Sequence, residues 1–140
     1  MSRKRGSGLE TLMRLRRHRV QEIGRELVDL DAAIRRHESD KRALAETRFE
    51  RADQDLPEAA RFTADFVRHA GALLRAQEAE IEKLEETTRE AQAQLRDAFI
   101  DLKRIELTHK AQQARERRQR DRRETQVIEE QTLMRWGRDD

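Results

Sequence analysis

A chain of 140 residues in which 43% are charged and 35% hydrophobic has too little apolar material for a conventional three-dimensional core. Its 31 basic and 29 acidic residues nearly cancel, so the placement of charge matters more than the net +2. The absence of cysteine excludes disulfides and thiolate metal sites, and no run of about 18 apolar residues offers a membrane span.

The opening SRKRGSG is basic and lacks a following apolar stretch of the kind a secretory leader needs. Residues 1–8 read as a flexible basic terminus. From Met13 the chain advances in alternating steps of three and four through Arg16, Val20, Ile23, Leu27, Leu30, Ile34, His37, Lys41, Leu44 and Arg48. That is a heptad seam with an apolar centre, thickened at its start by Leu9, Leu12 and Leu15. It predicts a helix from about Leu9 to about Ala52.

The break falls at DQDLPE, residues 53–58, which holds the chain's one proline. Pro57 suits the first position of a second helix, with Asp53 or Asp55 supplying turn or capping oxygens. A second seam follows through Phe62, Phe66, Ala70, Leu74, Gln77, Ile81, Leu84, Thr88, Ala91, Leu95, Ala98, Leu102 and Ile105. The second helix is predicted from about Glu58 to about Arg135, with Gly71 tolerated at about 1 kcal/mol and residues 136–140 as a disordered tail.

Two long helices with one short connection predict an all-α fold, an antiparallel two-helix coiled-coil hairpin over residues 9–135. A bend near residue 55 or 56 sets Leu44 near Val67, Leu30 near Ile81, Ile23 near Thr88 and Met13 near Ala98. On that register the pairing is used up near residue 102, and the seam continues through His109, Gln112 and Glu116 as an unpartnered extension.

Chemistry-bearing motifs are missing. Of His18, His37, His69 and His109, only His37 has a histidine, cysteine or aspartate three or four positions on, at Asp40, and one such pair is too few ligands for a site, so no metal is expected. No phosphate-cradling glycine loop or nucleophile elbow occurs, and neither an enzyme nor a cofactor is expected. His37 lies on the seam, where a polar residue fixes register more often than it does chemistry.

Charge is segregated. Arg3, Lys4, Arg5, Arg14, Arg16, Arg17 and Arg19 stand against Glu10 alone at the start, and residues 114–124, ARERRQRDRRE, hold six arginines and three acids. Residues 78–101 are acidic, with eight acids against Lys83, Arg89 and Arg96. The basic stretches admit three readings. One is a solvated face with i,i+4 pairs such as Glu116 with Arg120, each worth about 0.2 to 0.5 kcal/mol. A second is nucleic-acid binding, which the recurring acids and the lack of interleaved aromatics oppose. The third, a protein partner with an acidic or carbonyl-lined socket, fits best. Phe49, Phe62 and Phe66 near the bend, and Val127, Ile128, Leu133, Met134 and Trp136 near the end, are apolar groups that two helices alone cannot cover.

The stretches LETLMRLRRHRVQEIGRELVDL, FTADFVRHAGALLRAQEAEIEKL, AQAQLRDAFIDLKRIELTHKAQQARERR and QVIEEQTLMR together resemble the FliJ family of flagellar export proteins, over essentially the whole chain after residue 8. Stalk proteins of virulence-type secretion systems are the close alternative. The resemblance implies a non-enzymatic stalk and adaptor in the type III export apparatus, inserted in a hexameric export ATPase. It further implies contact with the cytoplasmic domain of the membrane export gate and with export chaperones. The location it implies is cytoplasmic and peripheral to the inner membrane, without insertion and without nucleic acid. By position, the family's gate-contacting pair falls on Phe66 and Ala70; Ala70 is smaller than the family residue, and Phe62 with Phe66 is the other assignment. The ATPase contact is implied at the basic end, at Arg14, Arg16, Arg17, Arg104, Arg115, Arg118 and Arg122. A basic nucleic-acid-associated coiled coil and a homodimeric scaffold are the competing functions.

Overall fold

A computed structural model describes the backbone of residues 2–52 and 60–139, and the side chains of residues 8–51 and 61–138. The described residues form two helices, α1 (Ser2–Ala52) and α2 (Ala60–Asp139), packed against each other and without a strand. The predicted bend at 53–58, with Pro57 and its capping aspartates, lies outside the described residues.

Both helices run past the ends the sequence suggests: α1 starts at Ser2 rather than Leu9, and α2 continues to Asp139 rather than Arg135. The only local breakers in those extensions are Gly6, Gly8 and Gly137. A glycine costs a helix about 1 kcal/mol, which weakens a helix without stopping it, whereas proline would stop it. Threonines are accommodated in the helices by local bonding. The hydroxyls of Thr47, Thr87, Thr88, Thr108, Thr125 and Thr132 each donate to the carbonyl four residues back, at 2.8 to 3.0 Å.

The α1 seam is where the heptad pattern puts it. Met13, Val20, Ile23, Leu27, Leu30, Ile34, His37, Lys41, Leu44 and Arg48 are all buried or half-buried; Arg16 is exposed. On α2 the same holds from Phe66 through Ile105, and Phe62 alone of the predicted seam is exposed. The core proper is narrow: among the described residues, Ile23, Ala70, Ile81, Ala91 and Leu102 are the buried hydrophobics. Small residues at Ala70, Gly71 and Ala91 let the backbones approach, and the guanidinium of Arg48 lies over Gly71, 3.4 Å from where a β-carbon would stand.

The packing divides the chain into two units, one of Arg19–Asp97 and one of Met1–His18 with Ala98–Asp140. In the first, Nδ1–H of His37 donates to Oε1 of Gln77 at 2.6 Å, and Lys41 Nζ is 3.4 Å from Glu78. In the second, Arg16 reaches Asp101 at 3.7 Å and Arg17 reaches Glu106 at 3.6 Å, while His109 Nε2 lies 4.0 Å from Glu10.

These partners correct the predicted register. The rule that sets Leu44 beside Val67 also sets Lys41 beside Ala70 and Arg48 beside Thr63, yet Lys41 meets Glu78 and Arg48 meets Gly71. The displacement is about one heptad. Its origin is the repeat itself: sliding one helix by seven residues returns seam to seam, so the hydrophobic pattern scores both registers alike. The predicted end of coverage near residue 102 shifts with it. His109, Gln112 and Glu116 are half-buried, and exposure becomes continuous only from Arg117 to Arg138.

Candidate functional site

Among the described residues no cluster of histidine and carboxylate side chains could hold a metal ion, and no helix is long and apolar enough to cross a membrane. Among the described residues, a shallow depression of about 340 Å³ lies on α1, lined by Gln21, Gly24, Arg25, Val28 and Asp29. It exists because Gly24 removes a side chain between exposed neighbours, and nothing lies within 4 Å of its missing β-carbon.

The aromatic candidates separate clearly. Phe62 is 81% exposed and Phe49 75% exposed. Phe66 is half-buried, with the Arg51 guanidinium 4.5 Å above its ring centroid. That cation–π contact covers one face of the ring and neutralises none of the arginine's charge. Ala70, which the resemblance pairs with Phe66, is only 1% exposed. It packs between the helices and presents no surface, because the seam at this position is already filled by α1. Of the three candidates, Phe62 and Phe66 remain available to a partner.

The arginines assigned to the other contact also divide. Arg16 and Arg17 are engaged across the helix pair with Asp101 and Glu106. Arg14, Arg104, Arg115, Arg118 and Arg122 are exposed and make no ion pair among the described residues. Ion pairing alone does not exclude Arg16 and Arg17 from binding, since exposed pairs at such distances are worth about 0.2 to 1 kcal/mol. It does mean that a partner must compete for them. His37, expected to fix register, is bonded to Gln77 of the opposing seam, a polar match inside an otherwise apolar line. Sequence inspection placed both residues on seams without pairing them, because the pairing depends on the register.

No protein-family model, curated protein or solved structure matches this chain.

Proposed function

We propose that the chain is a non-enzymatic stalk and adaptor of a bacterial flagellar type III export apparatus, joining a hexameric export ATPase to the membrane export gate and to export chaperones. The observation that carries the reading is the order of partners along the helices. Within Arg19–Asp97, Lys41, Arg48 and Arg51 meet Glu78, Gly71 and Phe66, so the numbers rise on α1 as they fall on α2. Within the other unit, Glu10 and Arg16 meet His109 and Asp101 in the same sense. This order supports an antiparallel coiled-coil hairpin, the architecture that the resemblance to the FliJ family implies for such a stalk.

The surfaces are compatible with that role. Phe62 and Phe66 are the residues assigned to the export gate, and Phe62 exposes enough aromatic surface to anchor a partner. Arg104, Arg115, Arg118 and Arg122 supply unpaired charge for the ATPase, with Arg14, Arg16 and Arg17 on α1. The partners are proteins; neither nucleic acid nor membrane insertion enters the reading.

The test is retention of a purified flagellar export ATPase and, separately, of the export gate's cytoplasmic domain on the immobilised chain. Phe62→Ala with Phe66→Ala should reduce gate retention at least about tenfold, the loss of a hot-spot aromatic, and leave ATPase retention unchanged. Failure of the wild-type chain to retain either protein, together with retention of duplex DNA at physiological salt, would sink the reading in favour of the nucleic-acid alternative.

A further inference from the structure

Between Ala98 and Arg118, α2 carries three acids, Asp101, Glu106 and Glu116. The structure turns all three toward the packed side. Asp101 and Glu106 are ion-paired with Arg16 and Arg17 of α1, and Glu116 is half-buried in line with Leu102, Ile105, His109 and Gln112. What remains on the opposite side of the helix is a second, outward line. Ile100, Leu107 and Ala114 recur every seven residues, and Ala111 follows Leu107 by four, which places them on one face. Ile100 and Leu107 are 49% and 57% exposed, and Ala111 and Ala114 are exposed with them.

This line is flanked by cations on both sides: Lys103 and Lys110 on one, Arg104 and Arg115 on the other, with Arg118 at its end. All five are exposed, and none forms an ion pair among the described residues. The centre of the face is therefore apolar and its margins are uniformly positive. Two of the acids that looked interspersed in the sequence, Asp101 and Glu106, are spent on α1.

We propose that this outward face of α2, residues 100–118, is a docking surface for an acidic amphipathic helix of another protein. Such a helix would set its apolar residues against Ile100 and Leu107, and its carboxylates against the flanking lysines and arginines. Ala111 and Ala114 provide the hollows into which a partner's larger side chains fit as knobs. A phosphate backbone is a poor match, because it would have to lie along an apolar centre. A lipid surface is a poor match as well, since an interfacial helix uses large apolar residues along its length and half of this line is alanine. A second copy of the chain would bring the same cations against themselves. The face shares Arg104, Arg115 and Arg118 with the ATPase contact proposed above, and the inference adds to that reading the apolar line of Ile100 and Leu107 and an acidic helix as the occupant.

The experiment uses the full chain and a fluorescent, monomeric synthetic peptide helix with leucines at heptad spacing and glutamates at the flanking positions. Anisotropy should show saturable binding that weakens as salt rises, and a peptide with lysine in place of glutamate should not bind. Lys103→Glu with Arg104→Glu and Arg115→Glu should weaken binding at least about tenfold, as should Ile100→Ser with Leu107→Ser, with helical circular dichroism unchanged. Three results overturn the proposal. One is no binding of the acidic peptide. Another is loss with the charge variant but none with Ile100→Ser and Leu107→Ser, the mark of simple polyanion attraction. The last is displacement of the peptide by short duplex DNA or phosphatidylglycerol vesicles at equal charge concentration. Failure here with ATPase and gate retention intact removes this inference alone.

Discussion

Within Arg19–Asp97 the chain buries Ile23, Ala70, Ile81 and Ala91, whereas in the unit of Met1–His18 with Ala98–Asp140 only Leu102 is buried to that degree among the described residues. Exposed large apolar side chains are distributed the other way. Val28, Phe49, Phe62 and Leu73 fall in the first unit; Leu12, Leu15, Phe99, Ile100, Leu107 and five residues between Val127 and Trp136 fall in the second. The same helix-forming composition thus serves two ends. Among the described residues, one unit spends most of its apolar side chains on its own packing, and the other leaves most of them at the surface.

The sharpest way to break this contrast is to truncate one residue of each kind. Ile23 is 1% exposed, and Ile23→Ala should lower unfolding free energy by about 3 kcal/mol, within the usual range for a buried branched residue. Leu107→Ala, at a half-exposed position, should stay within about 0.5 kcal/mol. Urea unfolding followed by helical circular dichroism measures both. Equal losses would mean that Leu107 is covered in solution by something the isolated chain already supplies.

Much of the packed unit was legible in the sequence, and for a definite reason. Period is a local property, so Val20, Ile23, Leu27, Leu30, Ile34 and Leu44 on α1, and Leu74, Ile81, Leu84, Ala91 and Leu95 on α2, fall on the covered side as their spacing predicts. Register is not local. The seven-residue repeat leaves slides of one heptad equivalent, and that ambiguity moved the cross-helix neighbours of Lys41 and Arg48 and ended the predicted coverage too early. The same slide decides side-chain pairings. Gln77 becomes the partner of His37, and Asp101 and Glu106 become the partners of Arg16 and Arg17. The outward basic face of α2 was illegible for that reason: its character depends on which acids the other helix takes away.

A second, smaller contrast is available at the glycines. Gly24 lies in the well-packed unit and Gly137 in the continuously exposed end of α2, and in neither case would an added β-carbon meet anything within 4 Å. Gly24→Ala should raise the unfolding free energy by about 1 kcal/mol, because helix propensity there is coupled to the packing of the whole unit. Gly137→Ala should raise helical signal slightly and leave the unfolding midpoint unchanged, since fraying beyond Arg117 is uncoupled from the packed seam. A shift in midpoint from Gly137→Ala would show that the end of α2 is packed in solution.

The smallest expected effect concerns the ion pairs on which the outward face depends. Arg16 and Asp101 are each nearly half exposed and 3.7 Å apart, so a double-mutant cycle with Arg16→Ala and Asp101→Asn should return a coupling of about 0.2 to 1 kcal/mol, falling with salt. Lys41 with Glu78, at 3.4 Å and similar exposure in the other unit, should give the same. Stability is therefore not what distinguishes the two pairs. The consequence of the Asp101 pair is electrostatic, because it holds a carboxylate beside α1 and away from Lys103 and Arg104 on the outward side. Arg16→Ala should release that carboxylate and weaken binding of the acidic peptide more than it weakens the fold, whereas Lys41→Ala should leave the peptide's affinity unaltered. Equal effects of the two substitutions on peptide binding would show that the cations of α2 act without regard to how the acids of their own helix are placed.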